Sequence, residues 1–367
     1  MIVHIFTASW YHLVPMLTRG FATVYQNDAE HFFILYGDKN LDEKLYVNLF
    51  KQIGFSNYIF CHSFWELIKQ LISHRRHSLL FHAGNYSWHL AALLLKCKSV
   101  NWVCWGGGTS ISNSWRSKIG AFIKRYTFNH FCTIVTLMEP ERQELINNFH
   151  VEPHVIQTIS YCSTKDDESE FDLLCKKLLE EGSVNSDKPV VLLGNSHHWI
   201  GSYIKMLPRL KQYAGKIKVQ CMLNYEFEKN DIYQNLLTLG KSIFGDDFKT
   251  NEEFYNERTD YINYMNGCDI YICAVEKQTG LGAISACLRL GKKIYITGNN
   301  YDWVKQAYNS NVFLLESIND NLSYEEFVKP LSVEDKMNNY RNRVNCKVTN
   351  REKWHNYLRS IDNNQVK

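Results

Sequence analysis

The stretch YICAVEKQTGLGAISACLRLGKKIYIT, from Tyr271 to Thr297, places a charge, an amide and two glycines between an apolar run and a helical pattern. Residues 271–275 read as a buried strand, small residues from 281 onward keep helical spacing, and a second β-rich run closes the unit. Gly280 and Gly282 let the backbone approach a ligand closely. The N–H groups at a helix start carry about half a positive charge. Together these make an anion site, phosphate above all. Glu276 and Gln278 add groups that can bond a ribose or sugar hydroxyl. A tight strand–helix turn with exposed polar residues would use the same residues, so this loop alone decides nothing.

Four other loops that follow apolar runs carry similar chemistry. In VVLLGNSHHWIG, Asn195 and Ser196 either cap the next helix or contact a diphosphate or sugar. Adjacent His197 and His198 point to different helix faces and make a poor metal pair. In CMLNYEFEKND, Tyr225 either stacks on a base or closes a sheet edge. In LLFHAGNYSW, His82 ends a run and Gly84 and Asn85 follow. In VNWVCWGGGTS, Trp105 ends a run and leads into Gly106, Gly107 and Gly108, which suit either a flexible turn or room for a ligand. His12 and His82 are the candidate general bases, although a lone histidine also serves as a satisfied structural residue.

These loops need elements to hold them. In the first half, residues 2–6, 32–36, 58–61, 79–82, 101–105 and 133–137 read as strands, with helical patterns such as 64–74 and 88–96 between them. That is the rhythm of a parallel α/β sheet. Residues 163–188 are charged and read as an interdomain helix and linker. Alternation then restarts, with strands at 188–193, 216–222, 269–275, 293–297 and 311–315 and helical patterns at 232–243 and 255–265. The tail, about 332–361, is helical and polar. The expected organisation is a domain at 1–162, a linker at 163–187, a second domain at 188–330 and terminal helices at 331–367 that pack back on the first domain. Ligands of such sheets lie beyond the carboxyl ends of the strands, in a cleft between two such domains.

The 367 residues suit two domains, and 45% hydrophobic residues supply a sizeable core. A formal charge of +3 gives no field that would mark nucleic acid as a partner. Eleven cysteines without metal spacing read as buried reduced thiols and a reducing compartment. The N-terminus does not read as a signal peptide. No apolar run approaches the ~18 residues of a spanning helix, so the expectation is a soluble or peripheral protein. The P-loop, GxSxG, HExxH and DxD motifs are absent.

One segment suits a membrane surface. In NSWRSKIGAFIKRYTF, Trp115, Ile119, Phe122, Ile123 and Tyr126 fall near one helical face, with Arg116, Lys118, Lys124 and Arg125 around it. This reads either as a helix at an anionic headgroup boundary or as an ordinary helix packed on its own sheet.

With these pieces in view, the chain resembles the bacterial lipid-linked Fuc4NAc transferases, the 4-alpha-L-fucosyltransferases of glycosyltransferase family 56. The matching segments are HIFTASWYH, FHAGN, WGGG, the basic aromatic helix, LLGNS and CDIYICAVEKQTGLGAISACLRLGKKI. The resemblance implies a glycosyltransferase B fold: two Rossmann-like α/β domains facing a cleft. It implies a metal-independent transferase without a cofactor. The donor would be a nucleotide-diphosphate sugar, dTDP-linked by preference. The acceptor would be an undecaprenyl-diphosphate-linked saccharide, in O-antigen, common-antigen or capsule synthesis, at the cytoplasmic face of the inner membrane. By that resemblance Asn195, Ser196, Tyr225, Glu276, Gln278, Gly280 and Gly282 lie on the donor side, and Trp105, Gly106 and Gly107 join His12 and His82 on the acceptor side. The sequence departs from the family at GGGTS, where an acidic residue is expected after the glycine, which leaves the acceptor sugar open. The competing expectations are a sugar-nucleotide epimerase and a non-catalytic nucleotide-sugar-binding module.

Overall fold

The computed structural model of the chain describes residues 1–8, 14–37, 42–83, 85–105, 115–161, 165–182, 187–223, 229–253, 255, 257–276 and 279–363, without the side chains of 115–119 and 165–169. It divides into two compact units. The first is Met1–Glu168 with Lys347–Lys367, and the second is Ser169–Cys346.

The first unit holds seven parallel strands. In chain order they are β1 (Ile2–Thr7), β2 (His31–Tyr36), β3 (Tyr58–Cys61), β4 (Ser78–His82), β5 (Ser99–Cys104), β6 (Thr133–Thr136) and β7 (Ile156–Thr158). They lie in the order β3-β2-β1-β4-β5-β6-β7. The central strands β1, β4 and β5 are buried along almost their whole length, because helices cover both faces of such a sheet. β1 runs beside β2 and β4, aligning His4 with Phe33 and Leu80 and bringing Phe6 opposite His82.

The second unit holds six parallel strands: β8 (Val190–Leu193), β9 (Lys218–Met222), β10 (Phe248–Asn251), β11 (Ile270–Cys273), β12 (Lys293–Ile296) and β13 (Phe313–Leu314). Their order is β10-β9-β8-β11-β12-β13. β8 and β11 are neighbours, so the segments that follow them, from residues 194 and 274 on, begin side by side at the carboxyl edge.

The strand pattern expected from the sequence is present, with two additions, β7 and β10. Both are edge strands of three or four residues in which a single residue is buried and the rest are exposed or partly so. A strand with one neighbour needs no long apolar run, which is why IQT and FKTN carry little signal.

The second unit is also wider than 188–330. The helix Lys165–Glu181 contributes Phe171, which lies under the Arg289 guanidinium at 4.5 Å, and Asp172, which pairs with Arg289 at 3.1 Å. The terminal helix Val333–Asp362 is shared at its residue 346/347 division. Its later turns bury Trp354 and Tyr357 in the first unit, where Tyr357 Oη meets Thr133 Oγ1 at 2.8 Å. The described cysteines are all free thiols. No helix among the described residues is long and apolar enough to cross a membrane.

Candidate functional site

In the second unit the loop after β8 is set by one tyrosine. Tyr203 Oη accepts from the backbone N–H of both Asn195 and Ser196 at 3.0 Å and donates to Ser196 O at 2.6 Å. Gly194 makes this possible. Its φ is +71°, and a Cβ there would sit 2.0 Å from the Tyr203 ring. Ser196 caps the short helix His197–Trp199, accepting from His198 N–H at 3.3 Å. Trp199 then reaches the neighbouring loop, and its Nε1–H donates to Thr279 Oγ1 at 2.9 Å.

The loop after β11 meets it from the other side. Gly280 is the N-cap of the helix Leu281–Arg289, at φ +64°, and as a glycine has no side chain to cap that helix start. A Cβ on Gly280 would lie 3.0 Å from Asn195 Oδ1 and 3.1 Å from Tyr271 Oη. Asn195 Oδ1 is buried with no hydrogen-bond partner. Gly282 is different: it is exposed, and a Cβ there would meet nothing within 4 Å. Asn195, Trp199 and Thr279 thus stand beside the start of this helix, where its first N–H groups lie. Such a site favours an anion. Glu276 is exposed at the start of the loop. Gln278 and Tyr225, expected on the donor side, lie outside the described residues.

The first unit offers something of another kind. His82, at the end of β4, is fully buried, and neither of its ring nitrogens is free. Nε2 meets His4 Nδ1 at 2.9 Å and Nδ1 meets Tyr161 Oη at 2.6 Å. His4 Nε2 meets His31 Nδ1 at 2.8 Å, and His31 Nε2 meets Tyr25 O at 3.0 Å. At the other end Trp105 Nε1–H donates to Tyr161 Oη at 2.8 Å.

One end fixes every proton in this chain. A carbonyl only accepts, so His31 Nε2 carries a proton and, in the neutral ring, Nδ1 accepts. His4 must then donate from Nε2 and accept at Nδ1, and His82 likewise. Tyr161 must donate to His82, which leaves its oxygen to accept from Trp105. Burial keeps His4 and His82 well below the ordinary imidazole pKa, His31 and His82 lowering His4 further. Burial also lowers His31, against the pull of the Tyr25 carbonyl and Asp28. The hydroxyl of Tyr161 is pushed well above its usual range by burial. Sequence reasoning singled out His82 but not His4, His31 or Tyr161, which are 78, 51 and 79 residues away. Only strand order brings them together.

The turn after His82 is strained. Ala83 has φ +58°, uncommon for a residue with a Cβ. Its carbonyl is held by Trp102 Nε1–H at 2.9 Å and by His89 Nε2 at 3.1 Å. Strain of this kind persists only where surrounding contacts enforce it. Asn85 caps the next helix, accepting from Ser87 N–H at 3.3 Å. His12, Gly106 and Gly107 lie outside the described residues.

In the helix Trp115–Phe128, Phe122 is 72% and Tyr126 44% exposed, whereas Thr127 and Phe128 are buried. Arg125 is exposed. Lys124 instead lies over the Tyr86 ring at 4.8 Å, half-buried, with its pKa lowered by burial. The side chains of Trp115, Arg116 and Lys118 are not described. No group of three or more His, Cys, Asp or Glu among the described residues is placed to hold a metal ion.

A family model described as 4-alpha-L-fucosyltransferase, glycosyl transferase group 56, matches residues 12–344. Among solved structures, Anabaena HepE in complex with UDP is similar at 12% identity and a TM-score of 0.69, over 98% of this chain and 99% of that one. A glycosyltransferase from Rickettsia africae matches at 14% identity and 0.68, over 98% of each chain. An alpha,alpha-trehalose 6-phosphate synthase from Burkholderia multivorans matches at 8% and 0.63, over 98% and 96%. At these identities the likeness is one of fold, and that fold is the glycosyltransferase B fold. A search of curated proteins finds no match.

Proposed function

We propose that this chain, which belongs to the 4-alpha-L-fucosyltransferase family and is a glycosyltransferase of the B fold, moves a deoxy or acetamido-deoxy hexose of the Fuc4NAc kind from a dTDP-linked donor to a lipid-linked saccharide. The observation that carries the donor half is the start of the helix Leu281–Arg289: its N-cap is a glycine with no side chain to cap it, a Cβ on Gly282 would meet open space, and Asn195, Trp199 and Thr279 stand beside it. When the bond between the anomeric carbon and the diphosphate breaks, negative charge grows on the leaving phosphate. Backbone N–H groups and the helix start offset it without reorganising, and the reading needs no metal or cofactor. The complex of HepE with UDP supports a nucleoside diphosphate as the ligand class.

The acceptor half rests on the first unit. Family membership favours an undecaprenyl-diphosphate saccharide, and the outward-facing Phe122 and Tyr126 beside Arg125 suit a peripheral contact with the cytoplasmic face of the inner membrane. In this reading His82 does not take the acceptor's proton, because both its nitrogens are committed. It holds Tyr161 and through it Trp105, and His12 is the histidine left for general base.

The test is calorimetric titration with dTDP, UDP and GDP, without added metal, on the natural chain and on Gly282→Val. The expected outcome is that dTDP binds tightest. The valine should weaken it tenfold or more, about 1.4 kcal/mol, while the melting midpoint moves little. Normal nucleotide binding by Gly282→Val would show that the donor lies elsewhere.

A further inference from the structure

The loop after β11 does not hold itself. It is gripped by the start of the helix Gly298–Tyr308, which follows β12. Asn300 is fully buried there. Its Oδ1 accepts from Thr279 N–H at 3.3 Å, and its Nδ2–H donates to Val275 O at 3.2 Å. One amide thus ties Val275 to Thr279. Next to it, Asn299 N–H donates to Glu276 O at 2.8 Å. Gly298, at φ +55°, packs so closely that a Cβ would lie 2.5 Å from that same oxygen. Thr297 Oγ1–H donates to Glu316 Oε1 at 2.6 Å and anchors the other side of the helix start.

The grip reaches further than one loop. Thr279, whose N–H Asn300 receives, is also the acceptor for Trp199 Nε1–H and, at 3.4 Å, for Asn195 Nδ2–H. The residue after Thr279 is the N-cap glycine. Asn300 therefore fixes the direction in which the helix Leu281–Arg289 begins, while its own side chain is shut inside the unit.

We propose that Asn300 is a positioning residue for the diphosphate of the donor, holding Thr279 and Gly280 so that the first N–H groups of the helix Leu281–Arg289 aim at the phosphates. This rests on the donor reading above. The side chain must donate and accept at once. Aspartate of the same shape can accept from Thr279 but turns an oxygen on the Val275 carbonyl. Alanine leaves both backbone groups without that partner.

The experiment measures affinities of the full chain for dTDP against dTMP and for UDP against UMP, in the natural protein and in Asn300→Ala, Asn300→Ser and the near-isosteric Asn300→Asp. The melting midpoint of each variant establishes that it folds. Asn300→Asp and Asn300→Ser carry the comparison if the alanine variant does not. The expected result is a diphosphate affinity lowered tenfold or more with monophosphate affinity within about twofold, so that the preference for diphosphate collapses. An unchanged preference in folded variants, or an equal fall for both ligands, would overturn the positioning role and leave the donor site standing. A natural chain that binds none of these nucleotides would overturn the donor reading and the role of Asn300 with it.

Discussion

The two units solve the same problem with different materials. The first stabilises the loops at its carboxyl edge through aromatic and imidazole side chains inside the sheet: Tyr25, His31, His4, His82, Tyr161 and Trp105 pass one proton direction across the unit. The second relies on backbone, amides and glycines, with Tyr203, Thr279 and Asn300 tying the loops after β8, β11 and β12 together. Of the fourteen histidines only His197 and His198 fall in the second unit. A side-chain network can be broken by a proton, whereas a backbone network is broken by a Cβ.

Acid is the strongest way to separate them. His4, His31, His82 and His89 are held neutral by burial, His89 at about 4. The unfolded chain binds protons near pH 6.5 that the folded unit refuses. Stability contributed by these groups is therefore complete above that value and is lost as pH falls through it. The slope approaches roughly 1.4 kcal/mol per histidine per pH unit. Glu141 acts in the opposite direction, since burial raises its carboxyl to about 8, but it is one group against four. Hydrogen exchange followed from pH 7 to pH 5 should show the first unit opening well before the second. Parallel loss of protection in both units would refute the contrast.

Next in size is Tyr161→Phe. It removes the donor to His82 Nδ1 and the acceptor of Trp105 Nε1–H in one step. The expected loss is about 2–4 kcal/mol in chemical denaturation, with nucleotide affinity unchanged because the second unit is untouched. A fall in dTDP affinity as large as the fall in stability would mean that the two regions are not independent.

The smallest effect is at the surface. Phe122→Ser should leave the melting midpoint within a degree or two, because the side chain is mostly exposed, yet reduce co-sedimentation with vesicles containing phosphatidylglycerol several-fold. Equal vesicle binding by the serine variant would leave the apolar stripe as an ordinary packed helix.

Much of the fold was legible because central parallel strands are covered on both faces and must be continuous apolar runs. IVHIF, LLFH and YICAV announce themselves in that way. β7 and β10 did not, since an edge needs less. The reading as a transferase, rather than an epimerase or a binding module, agrees with the family match. Gly280 and Gly282 stood out by type, but their difference did not: one has a positive φ against Asn195 and Tyr271, the other has open space. Asn300 carried no signal at all, being one amide in the polar run TGNNYD, 21 residues beyond Thr279.

The sequence by itself determined where strands end and which residues stand at those ends, because periodicity, glycine and capping chemistry are local. It placed His82 and Trp105 at the ends of strand-like runs and Asn195, Glu276, Gly280 and Gly282 between a strand and the helix that follows. The tertiary structure decided what those residues do to one another. Strand order β2-β1-β4 put His31, His4 and His82 in line, and the neighbouring of β8 and β11 put Trp199 beside Thr279. A hydrogen bond depends on distance and direction in space, and neither is encoded in the spacing of two residues along the chain.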